Sequence, residues 1–110
     1  MKVEYTFAAR QDLHNIYEYI AYTLLAPKAA SDTANRIMST ISTLQSMQER
    51  NPLYKDEPWH SKGVHFVPVK RYIVFYTINT ETETVTVSRI MFSGRDISNR
   101  LDETVDFLIN

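Results

Sequence analysis

The chain has 110 residues, of which 44% are hydrophobic and 23% charged, no cysteine, and a formal net charge of −1. This length predicts a single domain, and the composition is that of a folded protein rather than a disordered or fibrous one. The missing cysteines exclude disulfides, thiol nucleophiles and thiolate metal ligands, and the small net charge argues against a global basic field for binding nucleic acid.

The charge is unevenly distributed along the chain. Residues 51–100 hold seven Lys/Arg against five Asp/Glu, whereas residues 101–110 hold three acids and no base. A local basic surface is therefore compatible with the sequence. The start, MKVEYTF, has no apolar signal region, and no apolar run approaches a membrane span, so we expect neither export by a signal peptide nor a transmembrane segment.

The first 51 residues predict a strand followed by two helices. KVEYTF alternates, which predicts a strand with Val3, Tyr5 and Phe7 facing the core. A helical stripe follows, with Asp12, Asn15 and Glu18 on the solvated side. Its members are Leu13, Ile16, Tyr17, Ile20 and Leu24. Pro27 starts a second helix, which forms an antiparallel hairpin with the first. Its stripe is Ala30, Ala34, Ile37, Ile41 and Leu44.

The second half of the chain predicts strands after a loop. Residues 49–63 lack periodicity and carry two prolines and Gly63, which predicts a loop. Three runs at 64–69, 72–78 and 84–92 are rich in β-branched and aromatic residues, and the second is apolar enough for a central strand. Pro68 indicates an edge strand or a bulge. A last helix is expected from Asp96.

Together these elements predict an α+β fold: a small antiparallel sheet of about four strands with an N-terminal helical hairpin packed on it, in the order β-α-α-β-β-β-α. Alternation along the last strand places Val85, Val87, Arg89 and Met91 on one face and Ile90 with Phe92 on the other. Phe92 then packs in the core or receives a side chain from a partner.

No metal or cofactor site is expected. The three histidines, His14, His60 and His65, lack the spacing of zinc ligands, and two glycines cannot build a phosphate loop. General acid–base and electrostatic chemistry, of the kind that cleaves RNA without metal, remains open. The candidates are His60, Lys62, His65, Lys70, Arg71, Arg89 and Arg95.

Each candidate also has a structural interpretation. His60 and Lys62 are either solvated or dock a partner, and His65 either serves as a base or is a structural histidine on the face of Val67 and Val69. Lys70 and Arg71 are either turn charges or the rim of a ligand site. Trp59 either anchors a partner or covers the core. Tyr19 and Tyr22 fall off the helical stripe and could form an aromatic patch for a partner.

The order of these segments resembles the RelE/ParE superfamily of toxins from bacterial type II toxin–antitoxin systems. The matching pieces are the early strand, AARQDLHNIYEYI, AP(K)AA, EPWHSKG, YIVFYTI and RIMFSGRDI. The resemblance implies a cytoplasmic protein that needs no cofactor and is neutralised by a cognate antitoxin. RelE-like members cut mRNA in the ribosomal A site, whereas ParE-like members poison DNA gyrase.

The residues favour the ParE-like activity. Nuclease members often carry an arginine where this chain has Ile73, and a His or Tyr where it has Phe92, which has no proton to exchange. Arg95-Asp96 fits ParE-like members, although Phe92 departs from their usual His. We therefore expect a gyrase inhibitor without catalytic residues. Its predicted partner-binding residues are Tyr19, Tyr22, Trp59, His60, Arg89, Phe92 and Arg95.

Two alternatives stay open. The first is a RelE-like, ribosome-dependent mRNA endoribonuclease that uses Lys62, His65, Arg71 and Arg95. The second is a non-toxic module that only binds another protein.

Overall fold

A mixed sheet with helices on one face forms the centre of the molecule. The computed structural model describes residues 1–47 and 50–94. Its elements are β1 (Lys2–Tyr5), α1 (Phe7–Glu18), a π-helical turn (Tyr19–Thr23), α2 (Pro27–Ser42), α3 (Leu44–Met47), β2 (His65–Val69), β3 (Tyr72–Asn79) and β4 (Thr84–Phe92). The predicted α+β class and element order are confirmed over these residues. Arg95 and the predicted last helix lie outside them.

The strands lie in the order β1-β4-β3-β2. Pairs β2–β3 and β3–β4 are antiparallel as predicted, but β1 pairs with β4 in parallel, so the sheet is not wholly antiparallel. No short turn joins β1 to β4, and their relative direction is therefore not fixed by a hairpin. Pro68 lies in the edge strand β2, and β3 lies inside the sheet, as predicted.

The helical hairpin packs on one face of the sheet. The predicted α2 stripe is buried throughout, and it contacts Val74, Tyr76 and Val87 of the sheet. Thr6 starts α1, because its hydroxyl oxygen accepts a hydrogen bond from the Ala9 N–H at 3.0 Å. Phe7 is therefore the first helical residue and is 75% exposed, so its expected place in the core is wrong.

A bulge at Ser88 changes which residues of β4 share a face. Phe75 pairs with Arg89 while Tyr76 pairs with Val87, which leaves Ser88 as an extra residue. Its hydroxyl donates to the Phe75 carbonyl oxygen at 3.1 Å. As a result Ile90 packs with Val87 under the helices, and Met91 packs on the opposite face. The predicted uninterrupted alternation from 85 to 92 is therefore wrong.

The loop between α3 and β2 covers the opposite face of the sheet. Trp59 packs there with Val64, Phe75 and Met91 and is only 4% exposed. The ends of the loop are held to each other: the Tyr54 N–H donates to the Val64 carbonyl at 2.7 Å. Trp59, expected among the partner-binding residues, is thus part of a second small core, since burial of its large ring is more favourable than exposure.

An ion pair joins α1 to β4 beyond the end of β1. The Asp12 carboxylate accepts from Arg89 Nε at 2.7 Å, from Arg89 Nη2 at 3.0 Å and from the Ile90 N–H at 3.0 Å. The Arg89 and Asp12 side chains are only 11% and 14% exposed. The predicted solvated position of Asp12 is wrong, because β1 pairs with β4 only as far as Val87 and Asp12 occupies the edge that follows.

Loss of the Asp12 carboxylate should therefore destabilise the fold strongly. Asp12→Ala leaves the Arg89 guanidinium and the Ile90 N–H without this acceptor in a buried position, and we expect a loss of about 3–5 kcal/mol in the free energy of unfolding. Glu18→Ala is the control, because it removes an exposed partner of His14 on the same helix and should cost less than about 1 kcal/mol. Urea unfolding measures both, and equal effects would contradict the role given to Asp12.

Candidate functional site

A groove of about 900 Å³ runs between the helical hairpin and the end of the sheet that holds the β2–β3 turn. We call it the groove throughout. It is lined by Asp12, Asn15, Ile16, Tyr19, Ile20, Leu24, Thr33, Lys70, Arg71, Tyr72, Ile90, Met91 and Phe92. One wall is the first helix with its π-helical turn, and the other is β4 with the start of β3. Most of these side chains are apolar, as is usual for binding sites.

Large apolar side chains are exposed along the groove. Tyr19 is 54% exposed, Leu24 55% and Phe92 40%. The Phe92 ring makes an edge-to-face contact with Tyr72, at 5.8 Å between ring centroids. Tyr19 and Phe92, both predicted as partner-binding residues, are thus brought together on one surface.

Two cations and a half-buried tyrosine lie at the end of the groove formed by the β2–β3 turn. Lys70 and Arg71 are both exposed. The backbone φ angle of Lys70 is 55°, a value that residues other than glycine rarely adopt. Burial raises the pKa of the Tyr72 hydroxyl above its usual value; the nearby Tyr19 hydroxyl raises it further, and Arg71 opposes both. The sequence left two interpretations of Lys70 and Arg71 open, turn charges or residues on the rim of a ligand site. In the structure both residues lie in the β2–β3 turn and also line the groove.

The end of the first helix is a second exposed apolar feature. We call Tyr22, Leu24 and Leu25 the hairpin tip; they are 69%, 55% and 82% exposed. The Ala26 N–H donates to the Ile20 carbonyl at 3.0 Å, which closes the helix and places Leu25 at φ of 53°. Glycine usually occupies such a position. The chain therefore keeps a leucine where both its conformation and its exposure are unfavourable, a pattern associated with function.

The remaining predicted partner residues lie elsewhere. Arg89 is 9% exposed and engaged with Asp12, so its expected role as a partner-binding residue gives way to a structural one. His60 is exposed in the loop on the opposite face of the sheet, with Nδ1 3.0 Å from the Tyr54 carbonyl oxygen. Neither residue lines the groove.

Comparisons with known proteins agree with this fold. A family model described as "ParE toxin of type II toxin-antitoxin system, parDE" matches residues 3–97. The chain belongs to the ParE toxin family. The solved chromosomal ParDE system from P. aeruginosa has a similar fold, with a TM-score of 0.68, 20% identity and coverage of 84% of this chain and 95% of that one.

The RelBE2 toxin–antitoxin complex from Mycobacterium tuberculosis also resembles this ParE-family chain. Its TM-score is 0.54, with 20% identity and coverage of 83% of this chain and 95% of that one. No curated protein sequence matches. At these identities the two solved structures establish the fold and not the activity.

The described nuclease candidates are not assembled in this ParE-family chain. Lys62 precedes β2 and Arg71 follows it, so the five residues of the strand separate them by roughly 17 Å. His65 stacks on Tyr76 with ring centroids 5.2 Å apart, and its Nδ1–H donates to the Asn51 carbonyl at 2.7 Å. His65 is thus a satisfied structural histidine on the face of Val67 and Val69. Arg95 lies outside the described residues.

Sequence reasoning missed part of the groove of this ParE-family chain. Ile16 and Ile20 were predicted on the core-facing stripe, and Ile20 is indeed buried, but both also line the groove, while Asp12 was assigned to solvent. The sequence did contain one sign of the hairpin tip: Leu25, an apolar residue directly before Ala26-Pro27, occupies a position where glycine commonly ends a helix.

Within residues 1–47 and 50–94 no group of three or more His, Cys, Asp or Glu is placed to hold a metal ion. Over the same residues, no helix combines the length and hydropathy of a membrane span.

Glycine at the hairpin tip tests the strain at Leu25. Leu25→Gly should raise the free energy of unfolding by about 1 kcal/mol, because glycine adopts positive φ without a steric penalty. Tyr22→Gly is the matched control: Tyr22 is helical, and the same replacement there should cost about 1 kcal/mol. Thermal unfolding compares the two, and a destabilised Leu25→Gly protein would refute the strain.

One buried and two half-buried tyrosines should make the fold sensitive to alkali. Burial raises the pKa of Tyr5, Tyr72 and Tyr76 above 10.0. The folded state therefore holds these protons more tightly, so the resulting stability is fully present below about pH 10 and is lost as pH rises through the raised pKa values. In urea unfolding series from about pH 8 to 11, Tyr72→Phe should make that decline shallower. Tyr22→Phe, at an exposed position, should follow the parent protein; a Tyr72→Phe profile identical to the parent would contradict the argument.

Proposed function

We propose that this ParE-family toxin arrests bacterial growth by inhibiting DNA gyrase through protein–protein contact, and that a cognate antitoxin neutralises it. The observation that carries the proposal is the match of residues 3–97 to the ParE family model. The antitoxin is supported by the two similar solved structures, which are described as a toxin–antitoxin system and a toxin–antitoxin complex.

The site geometry supports a contact mechanism over RNA cleavage. A metal-free nuclease needs a base, an acid and cations within hydrogen-bond reach of one phosphate. Lys62 and Arg71 are at opposite ends of β2, and the Nδ1 of His65 is engaged with Asn51. Phe92 supplies an apolar ring to the groove and has no titratable group.

The hairpin tip is the surface that we assign to the target. Tyr22, Leu24 and Leu25 offer a compact apolar projection, and exposed tyrosines are among the residues that carry much of the binding energy in protein interfaces. The backbone conformation of Leu25 is a second argument for a binding role. Its positive φ angle is unfavourable for a residue with a side chain, so keeping leucine at this position lowers the stability of the fold.

A supercoiling assay with purified gyrase, run beside primer extension on translated mRNA, tests the proposal. The parent protein should inhibit supercoiling and leave mRNA intact. Leu25→Gly should require a concentration about 10-fold higher, equivalent to about 1.4 kcal/mol of binding energy. Because this variant is expected to be more stable than the parent, misfolding cannot account for the loss.

Arg71→Ala and Lys62→Ala provide the controls. Both should inhibit supercoiling like the parent, because neither residue belongs to the hairpin tip. Ribosome-dependent cuts abolished by Arg71→Ala or Arg95→Ala, with supercoiling unaffected, would establish the nuclease instead. Normal growth despite good soluble expression without an antitoxin would identify a non-toxic binding module.

A further inference from the structure

The first strand of the sheet has one free edge. β1 pairs with β4 on one side, and among residues 1–47 and 50–94 no strand pairs with it on the other. A free edge offers a row of unpaired N–H and C=O groups to another strand. We propose that β1 pairs with β1 of a second copy of this chain, antiparallel and about a two-fold axis at Val3, so that the two sheets become continuous.

The backbone of β1 is arranged for this pairing. The Lys2 N–H donates to the Glu83 carbonyl at 2.9 Å, and the Thr6 N–H likewise donates to β4 at 3.0 Å. Because backbone groups alternate in direction along a strand, the N–H and C=O groups of Val3 and Tyr5 face away from β4. Two Val3 residues placed opposite each other therefore exchange two hydrogen bonds, as in any hydrogen-bonded pair of an antiparallel ladder.

The charges on the edge select one register. Lys2 and Glu4 lie on the same face of β1 and pair with each other at 3.0 Å, with side chains 72% and 49% exposed. When Val3 stands opposite Val3 of the second copy, Lys2 stands opposite Glu4 of that copy, and Glu4 opposite Lys2. Moving the register by two residues either way puts Lys2 opposite Lys2 or Glu4 opposite Glu4, and like charges directly opposite each other are destabilising.

Charged residues on an edge usually protect it from pairing with other strands. On β1 the two charges have opposite signs and stand symmetrically about Val3. The edge is therefore complementary to itself, and this complementarity favours a second copy over a strand of another sequence.

Apolar surface beside the edge extends the contact. Phe7 follows β1 directly and is 75% exposed, outside both the groove and the hairpin tip. A hollow of about 490 Å³ lies beside the same strand, where Tyr5 meets Leu13 and Met38 of the two helices. Antiparallel pairing brings Phe7 of each copy beside the start of the other copy's β1 and places both hollows on the same face of the joined sheet. The second copy thus covers apolar surface as well as the strand edge, which a stable dimer needs.

Pairing through β1 leaves the groove open. No residue of β1 lines the groove, and β1 ends opposite Val87, whereas the groove lies further along β4, at Phe92. A second copy at β1 and a protein bound in the groove therefore occupy different surfaces. The inference does not depend on gyrase being the target.

Charge exchange at Lys2 and Glu4 tests the pairing, with sedimentation of the full chain as the measurement. The parent protein should dimerise. Lys2→Glu or Glu4→Lys alone places like charges opposite each other at two points and should weaken the dimer about 10-fold. A mixture of these two variants should recover the dimer, because their edges then carry opposite charges, and that recovery also shows that both are folded. Lys55→Glu makes the same change in net charge as Lys2→Glu at an exposed position of the loop and should leave the dimer unchanged.

Cysteine cross-linking tests the register, since the chain has no cysteine of its own. The Cα atoms of a non-hydrogen-bonded antiparallel pair are about 4.5 Å apart, a distance that a disulfide spans. Under mild oxidation a mixture of Lys2→Cys and Glu4→Cys proteins should therefore form a mixed disulfide faster than either variant forms one alone.

A parent protein that stays monomeric at the highest concentration measured would overturn the inference. So would a dimer that neither charge variant weakens, because its interface would then lie away from β1. A dimer that Lys55→Glu weakens as much as Lys2→Glu does would depend on net charge alone, which also contradicts pairing through β1.

Discussion

The contact between Asp12 and Arg89 joins the two walls of the groove. One wall is carried by α1 and its π-helical turn and the other by β4, and three hydrogen bonds from β4 meet at the carboxylate of Asp12, next to the apolar packing of α1 on Val87 and Ile90. Because two nitrogens of the Arg89 guanidinium are bound, the plane of the group is fixed. The ion pair therefore constrains the angle between α1 and β4 as well as their separation. Beyond Val87 the edge of β4 has no partner strand, because β1 has ended. The Asp12 carboxylate lies at this edge and accepts the hydrogen bond of the Ile90 N–H.

Much of the fold follows from local patterns in the sequence. Runs of β-branched and aromatic residues located β3 and β4 to within one residue, Pro27 marked the start of α2, and Pro68 indicated an edge strand. The bulge at Ser88 and the parallel pairing of β1 were not predictable, because both depend on which strand lies alongside rather than on the residues themselves. The ion pair joins residues 77 positions apart, a separation at which sequence patterns carry no information about contact.

The candidate site was predicted less well than the fold. Tyr19, Tyr22 and Phe92 were found because aromatic residues off a helical stripe or at a strand end are informative without a structure. Trp59 was left open between a partner anchor and a core residue, Arg89 was expected to bind a partner, and tertiary packing buried both. The groove was not predictable as a whole, because residues from α1, the β2–β3 turn and β4 meet only after the hairpin packs on the sheet.

The loop over the far face of the sheet has a consequence for engineering. Its ends are joined by backbone hydrogen bonds from Tyr54 to Val64 and from Phe66 to Pro52, and Trp59 fixes its interior. Such a closed loop is compact and self-supporting, so substitutions at its exposed positions Lys55 and Lys62 should have little effect on the rest of the chain. Since the sheet separates this loop from the helices, it offers a place for a fluorescent label or an affinity tag that leaves both the hairpin and its groove accessible.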